Sequence, residues 1–218
     1  MGQQIRVVTG FEGGDRSGYV YSSAYALVPL GPNVDLVPRL TLDYQFYSYD
    51  GALGTVSVRS PGVVAGAGIR VHAPGIAVTV GPAFEVRRTT RSTPAATTTF
   101  SQSGILLVGD LWASPGPRTT LTMGGSYSFA NEYGRSSVSV MQRLTDPADD
   151  PPAMISAGAE AVLQGNPEAY FYGAGGVLGV GLPAERTTFH VRLGYMYYIA
   201  GETREGRPYL GIGVARGL

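Results

Sequence analysis

The segment from Arg118 to Ser136 alternates between two kinds of side chain, and this alternation constrains the fold more than any other feature. One parity carries large apolar residues, namely Leu121, Met123, Tyr127 and Phe129. The other parity carries threonine, glycine and serine, and a polar stretch at 131–135 is predicted to be a loop. A period of two over about ten residues indicates a β-strand with one apolar and one polar face. An apolar face that ends in aromatic residues is typical of strands in membrane β-barrels.

The same alternation recurs along the 218 residues and predicts about twelve strands, an even number as in single-chain bacterial barrels. In the second of these strands, Tyr19, Tyr21 and Tyr25 take the parity of the large residues. No run of about 18 apolar residues is present, so no membrane-spanning helix is predicted. The predicted fold class is therefore all-β: a closed antiparallel transmembrane β-barrel, formed by residues 1–218 as a single domain.

The predicted connections differ in length and composition. Short turns that contain proline are predicted at 30–33, 73–75, 114–117, 146–152 and 182–185. The intervening connections include longer polar segments at 48–61 and 88–98, which are predicted to be loops. Short turns at one end and longer loops at the other are typical of outer-membrane barrels.

Charged residues within the predicted strands share their parity with glycine, and small residues suit the crowded interior of a barrel. The predicted lumen-lining residues are Arg39, Asp43, Arg70, Glu85, Arg87, Asp110, Glu160, His190 and Arg192. The opposite parity is apolar and needs lipid or a partner to cover it. The predicted lipid-facing residues are Leu40, Leu42, Phe46, Leu121, Phe129, Leu193, Tyr195 and Tyr197.

Composition argues against several classes of function. Charged residues make up only 15% of the chain, and 16 basic residues balance 16 acidic ones. Without an excess of basic residues, no nucleic-acid partner is expected. Cysteine is absent, which excludes disulfides and thiolate metal sites. No cofactor or metal is predicted.

Two roles for the balanced inward charges remain open. They could line a narrow polar channel whose selectivity they set. They could also pair across the lumen and fill it, because charges in a low-dielectric interior need partners. A catalytic role is not predicted, because a barrel hydrolase would need a serine–histidine pair at the outer rim, and His72 and His190 lie on the inward parity.

The expected partners are outer-membrane lipid or detergent, lipopolysaccharide or polysaccharide, and other envelope proteins. Arg87, Arg88 and Arg91 are placed at or near the predicted loop 88–98. Arginines at such a position could bind lipopolysaccharide phosphates or simply be solvated.

Three segments resemble a known family. They are TGFEGGDRSGYVYSSAYALVPL at 9–30, GDLWASPGPRTTLTMGGSYSFANEYGRSSVSVMQRL at 109–144 and GAEAVLQGNPEAYFYGAGGVLGV at 158–180. They resemble the BcsS family of bacterial cellulose-biosynthesis proteins. The resemblance implies an outer-membrane barrel that is encoded with cellulose synthesis, with no catalytic residues to transfer. We therefore expect a narrow channel or accessory component in cellulose synthesis or export. The alternative is a structural or interaction barrel with a filled lumen that binds partners through its loops. The expected location is the bacterial outer membrane, and because a strand begins directly after Gln4, we expect an export signal to have been removed.

Overall fold

The computed structural model describes residues 4–51, 54–130, 132–146, 151–165, 169–200 and 203–218. These residues form twelve β-strands and one short 3-10 helix at Pro183–Glu185. The strands are β1 (Gln4–Gly13), β2 (Ser17–Gly31), β3 (Val34–Gly51), β4 (Gly54–Ala73), β5 (Ile76–Ser92), β6 (Thr97–Gly116), β7 (Thr119–Ser128), β8 (Tyr133–Arg143), β9 (Met154–Gly165), β10 (Ala169–Leu182), β11 (Thr187–Ala200) and β12 (Thr203–Gly217). The described residues contain no helix with the length and apolar composition of a membrane-spanning segment.

Each strand pairs with the next in antiparallel fashion, and β12 pairs back with β1 to close the barrel. Val8 lies opposite Ala215 in the closing pair, for example. Closure satisfies the backbone groups that an edge strand would leave unpaired. The sequence-based prediction of a closed twelve-stranded antiparallel barrel is confirmed.

The two ends of the barrel differ in their connections. One end, the turn end, carries both described termini and the connections that follow even-numbered strands, including Pro74–Gly75 and Pro117–Arg118. The predicted turns at 30–33, 73–75, 114–117 and 182–185 all lie there. The predicted turn at 146–152 lies at the same end, although its residues 147–150 are outside the described residues. The opposite end, the loop end, carries the connections that follow odd-numbered strands.

The segments predicted as longer loops at 48–61 and 88–98 instead continue as paired strands, apart from 52–53, which lie outside the described residues, and the turn at 93–96. Tyr49 lies opposite Val56 between β3 and β4, and Ser92 lies opposite Thr97 between β5 and β6. These segments are rich in threonine, valine and tyrosine, whose side chains favour strands. As a result, β3 to β6 have 17 to 20 residues, whereas β7 has 10.

Burial alternates along the strands with a period of two. In β4, Val56, Val58 and Val64 are buried on the inner face, whereas Val63 and Ile69 are exposed on the outer face. Strands of about 9–11 residues suffice to cross a bilayer. At the loop end the hairpins β3–β4 and β5–β6 extend past their neighbours, because β2 starts opposite Tyr47 and β7 ends opposite Leu106.

Candidate functional site

The interior of the barrel is crossed by ion pairs between strands that are not neighbours. Arg87 on β5 reaches over β4 and donates to both carboxylate oxygens of Asp43 on β3, at 2.7 and 3.0 Å. Asp43, Gly62 and Arg87 lie side by side in register. A Cβ atom on Gly62 would lie 2.8 Å from the guanidinium carbon of Arg87, so the glycine makes room for the arginine.

Glu85 and Ser128 extend this first cluster. The Ser128 hydroxyl on β7 donates to Glu85 on β5, and the Arg87 Nε lies 4.0 Å from the Glu85 carboxylate. Arg87 also donates to the carbonyl oxygen of Ser60 at 3.0 Å. The Asp43 side chain is 2% exposed and that of Glu85 is 5% exposed. Buried carboxylates of this kind are stable only when they are paired and hydrogen-bonded.

A second cluster is centred on Glu12 of β1. Arg135 of β8 and Arg192 of β11 both donate to its carboxylate, Arg192 at 2.5 Å. Arg192 also lies 3.4 Å from the carboxylate of Glu160, which accepts a hydrogen bond of 2.7 Å from Tyr209. The chain of contacts therefore joins β8, β1, β11, β9 and β12 through the interior.

The remaining predicted lumen residues lie on the same inner face. Arg39 on β3 donates to Asp110 on β6 at 2.5 Å. Arg70 lies opposite Asp35, whose carboxylate is 3.4 Å from the Nε2 atom of His72. These contacts place Arg39, Asp110 and His72 towards the interior.

His190 and Ser156 lie on either side of Gly179 in register. The Ser156 hydroxyl donates to the carbonyl oxygen of Gly179 at 3.5 Å. Both residues lie near the turn end, on strands whose paired ends are Met154 and Thr187. Among the described residues, no group of three histidine, cysteine or acidic side chains is placed to hold a metal ion.

Two features of the interior differ from the sequence-based expectation. Tyr21 lies opposite Asp43 and Tyr25 lies opposite Arg39. All three tyrosines of β2, Tyr19 included, therefore face inward rather than with the outer apolar parity. Arg135, predicted to lie in the loop 131–135, is part of β8 and lies over the Tyr19 ring at 5.0 Å. Residue 131 of that predicted loop is outside the described residues. The strand begins earlier than predicted because Tyr133–Ser136 pair with β7.

The predicted lipid-facing residues lie on the parity that is opposite to these clusters. The exposed ones are Leu40, Leu42, Phe129, Leu193, Tyr195 and Tyr197. Phe46 and Leu121 are half-buried. Phe46 packs across Gly18 on the neighbouring strand, where an added Cβ would lie 2.3 Å from the ring. Leu193 and Phe129 are each 60% exposed, although exposure of large apolar side chains to water is unfavourable.

The three arginines near the loop end do not form one cluster. Arg87 is buried and paired with Asp43, so it cannot contact a ligand outside the barrel. Arg88 is exposed on the outer face, and the exposed Arg91 lies opposite Val58, on the inner parity. The structure instead places Arg59 of β4 near Arg88, because Arg59 lies opposite Thr90. Sequence reasoning missed this pair because Arg59 falls in a predicted loop.

Comparison with known proteins identifies the family. The chain matches the family described as cellulose biosynthesis protein BcsS over residues 9–217. The chain belongs to this family. The match includes all twelve strands at least in part, and it confirms the resemblance of the three segments to BcsS proteins. A search of curated proteins found no match.

Solved structures share the barrel fold with this BcsS-family chain. The translocator domain of the autotransporter NalP from Neisseria meningitidis is 16% identical, with a TM-score of 0.54 over 99% of this chain and 88% of that one. An outer-membrane channel from Pseudomonas putida F1 is 14% identical, with a TM-score of 0.56, and the match covers 100% of this chain and 96% of that one. LpxR from Salmonella typhimurium is 10% identical, with a TM-score of 0.56, and the match covers 97% of this chain and 99% of that one. At these identities the likeness is one of fold.

Proposed function

We propose that this chain is an outer-membrane barrel that serves cellulose synthesis as a structural or interaction component with a side-chain-filled lumen. The family and the barrel fold support a role in polysaccharide synthesis at the outer membrane. Partners in the envelope, or the polysaccharide itself, contact the loop end, where the hairpins β3–β4 and β5–β6 extend furthest. The proposal assigns no catalytic activity to the barrel.

The observation that carries the proposal is the cluster around Glu12. Arg135 and Glu12 belong to β8 and β1, which lie on different sides of the barrel with at least four strands between them on either path around the wall. Arg192 and Glu160 continue the bridge towards β9. Side chains that meet across the interior occupy the space that a solute would need. Their mutual pairing also satisfies charges in a region of low dielectric constant.

The outer face supports the placement in a membrane. Leu40, Leu42, Leu193 and Tyr195 are exposed on the side of the wall that faces away from the ion pairs. In this proposal they contact acyl chains, as the outward apolar band of outer-membrane barrels does. Arg39, Asp43, Arg70, Glu85, Arg87, Asp110, Glu160, His190 and Arg192 then line the lumen.

Ion conductance in planar lipid bilayers tests the filled lumen. We expect no steady open state for the wild-type barrel, whereas the triple variant E12A/R135A/R192A should conduct, because it removes the bridge. The matched control R16A/D50A/R207A removes three charges from ion pairs at the loop end, including Arg16–Asp50 at 2.7 Å. A steady wild-type conductance that the E12A/R135A/R192A variant leaves unchanged would refute the proposal.

A narrow, charge-selective channel is the second candidate. It is favoured by one observation: the Asp110 side chain is 43% exposed although it lies on the inner face and is paired with Arg39. Water therefore reaches this part of the interior. A barrel of twelve strands lies between filled eight-stranded barrels and the aqueous porins of sixteen strands. A wild-type conductance that changes its ion selectivity in D110N would favour this candidate.

A further inference from the structure

Two arginines lie together on the outer face of the barrel at the loop end. Arg59 of β4 is opposite Thr90 of β5, and Arg88 precedes Thr90 by two residues. The two arginines are therefore diagonal neighbours on the same face of adjacent strands, where long side chains can reach each other. Both are exposed. Like charges at this spacing repel each other, and an anion between or beside the two guanidinium groups would relieve the repulsion.

The described residues provide no carboxylate for this purpose. The ion pairs found among them include neither Arg59 nor Arg88. Arg87, the immediate neighbour of Arg88, points the other way and is bonded to Asp43. The outer pair thus differs from the inner arginines, which the fold supplies with acidic partners.

The position of the pair relative to the apolar face identifies the kind of anion. Val63, Phe84 and Val86 are exposed on the same face of β4 and β5, immediately towards the turn end. Level with the arginines, Ser101 is opposite Arg88, and Thr90 and Thr99 are hydrogen-bonded at 3.1 Å. Beyond them the outer face stays polar, because Thr97 donates to Ser92 at 3.3 Å. The arginines therefore mark the boundary between the apolar belt and the polar extension.

Orientation places this boundary in one leaflet. In outer-membrane barrels the short turns lie on the periplasmic side and the longer hairpins outside. Arg59 and Arg88 are at the end opposite the short turns, so in the proposed outer-membrane placement they lie at the headgroup level of the outer leaflet. A phosphate at this level belongs to a lipid headgroup, and the acyl chains of the same lipid would cover Val63, Phe84 and Val86.

We propose that Arg59 and Arg88 form a binding site for the phosphate of a lipid A headgroup. The planar guanidinium groups would each donate two hydrogen bonds to phosphate oxygens, a geometry that arginine favours. The hydroxyls of Thr90 and Ser101 lie on the same face, beside the arginines. This site rests on the proposed outer-membrane placement of the barrel but not on a filled lumen.

The test uses the full chain folded in detergent, with lipid A added in increasing amounts, and follows the temperature at which the barrel unfolds on an unboiled gel. The wild-type barrel should be stabilised by bis-phosphorylated lipid A. The variant R59Q/R88Q should bind it at least about tenfold more weakly, since each lost charged hydrogen bond has about that effect. The matched control R186Q/R216Q removes two exposed arginines from the turn end and should bind as the wild type does.

Three results would overturn the site: equal stabilisation of the wild type and R59Q/R88Q, equal stabilisation by dephosphorylated lipid A, or full stabilisation by inorganic phosphate alone. The last result would show an anion site without lipid specificity. R59Q and R88Q shorten the side chains but keep them polar. The variant R59K/R88K, which keeps the charge but loses the planar fork, should show an intermediate affinity. A variant that gives no folded band without lipid A has a defect in barrel folding. Such a defect is distinct from a loss of lipid A binding by a folded barrel.

Discussion

Tyr209 lies flat across two neighbouring strands and donates a hydrogen bond of 2.7 Å to Glu160. The two residues are on β12 and β9, and the row between them consists of Gly194 and Gly175 in register. Added Cβ atoms would lie 2.4 Å from the Tyr209 ring at Gly194 and 2.8 Å from its hydroxyl at Gly175. The same arrangement recurs at Gly62 below Arg87, and at Gly211 between Arg192 and Glu12. Glycine on the inner face therefore allows long polar side chains to reach partners two or three strands away.

Replacing Tyr209 with phenylalanine tests the hydrogen bond alone. The Y209F barrel should lose roughly 1.5–3 kcal/mol of stability, the usual contribution of a hydrogen bond to a charged group. The measurement is the urea concentration at the midpoint of unfolding in detergent. Unfolding is monitored by the heat-dependent shift of the barrel's band on a gel. Y127F is the control, because Tyr127 is exposed on the outer face beside Phe129, and it should unfold at the wild-type midpoint. Equal midpoints for Y209F and the wild type would show that Glu160 does not need the tyrosine.

Replacing Gly194 with alanine tests the space below the ring. The new methyl group would also lie 2.5 Å from the Ala174 carbonyl oxygen, so backbone as well as side chain must move. We expect a destabilisation of about 1–3 kcal/mol, as for other overpacked sites. Gly213 on the neighbouring strand β12 is the control, since an added Cβ there would meet its nearest atom at 3.8 Å. If G194A and G213A unfold at the same urea concentration, the ring does not require the glycine.

The period of two was sufficient to predict the barrel fold and, in most strands, which residues face the interior. Asp43, Glu85 and Glu160 share the buried inner face, as their common parity with glycine suggests. Residue size was a poor guide in β2, where Tyr19 and Tyr21 face inward. A tyrosine has an apolar ring and a polar hydroxyl, so it suits either face of a barrel wall. Only its pairing with β3, opposite Gln45 and Asp43, decides the question.

The partners of the inner charges could not be predicted in the same way. Glu12 and Arg135 are 123 positions apart in the chain and meet only because the sheet closes. Local alternation shows which face a residue occupies but carries no information on the curvature that brings opposite walls together. The neighbouring positions of Arg59 and Arg88 likewise depend on the register between β4 and β5, which continues through segments predicted as loops.

A double-mutant cycle tests the coupling of Asp43 and Arg87. The variants D43N, R87Q and D43N/R87Q remove one or both charges; D43N keeps the side-chain size, and R87Q gives a shorter side chain that still ends in a polar amide. Because the pair is buried and bonded at two points, we expect a coupling energy of about 1–3 kcal/mol from the urea midpoints. The exposed pair Arg16–Asp50 is the control and should show no measurable coupling, as is usual for surface ion pairs. Additive effects at Asp43 and Arg87 would mean that the buried contact contributes no net stability.

Replacing Leu193 with arginine tests whether the outer apolar face contacts lipid. Leu193 is 60% exposed near the middle of β11, so in water its replacement by a polar residue should change stability little. In a bilayer, an arginine on the lipid-facing surface near the midplane costs roughly 2–4 kcal/mol. The measurement is the urea midpoint of the barrel folded into liposomes. Ala95, exposed in the turn between β5 and β6, provides the control A95R, which we expect to match the wild type. If L193R is as stable as A95R in liposomes, acyl chains do not cover this face, and the proposed membrane placement fails.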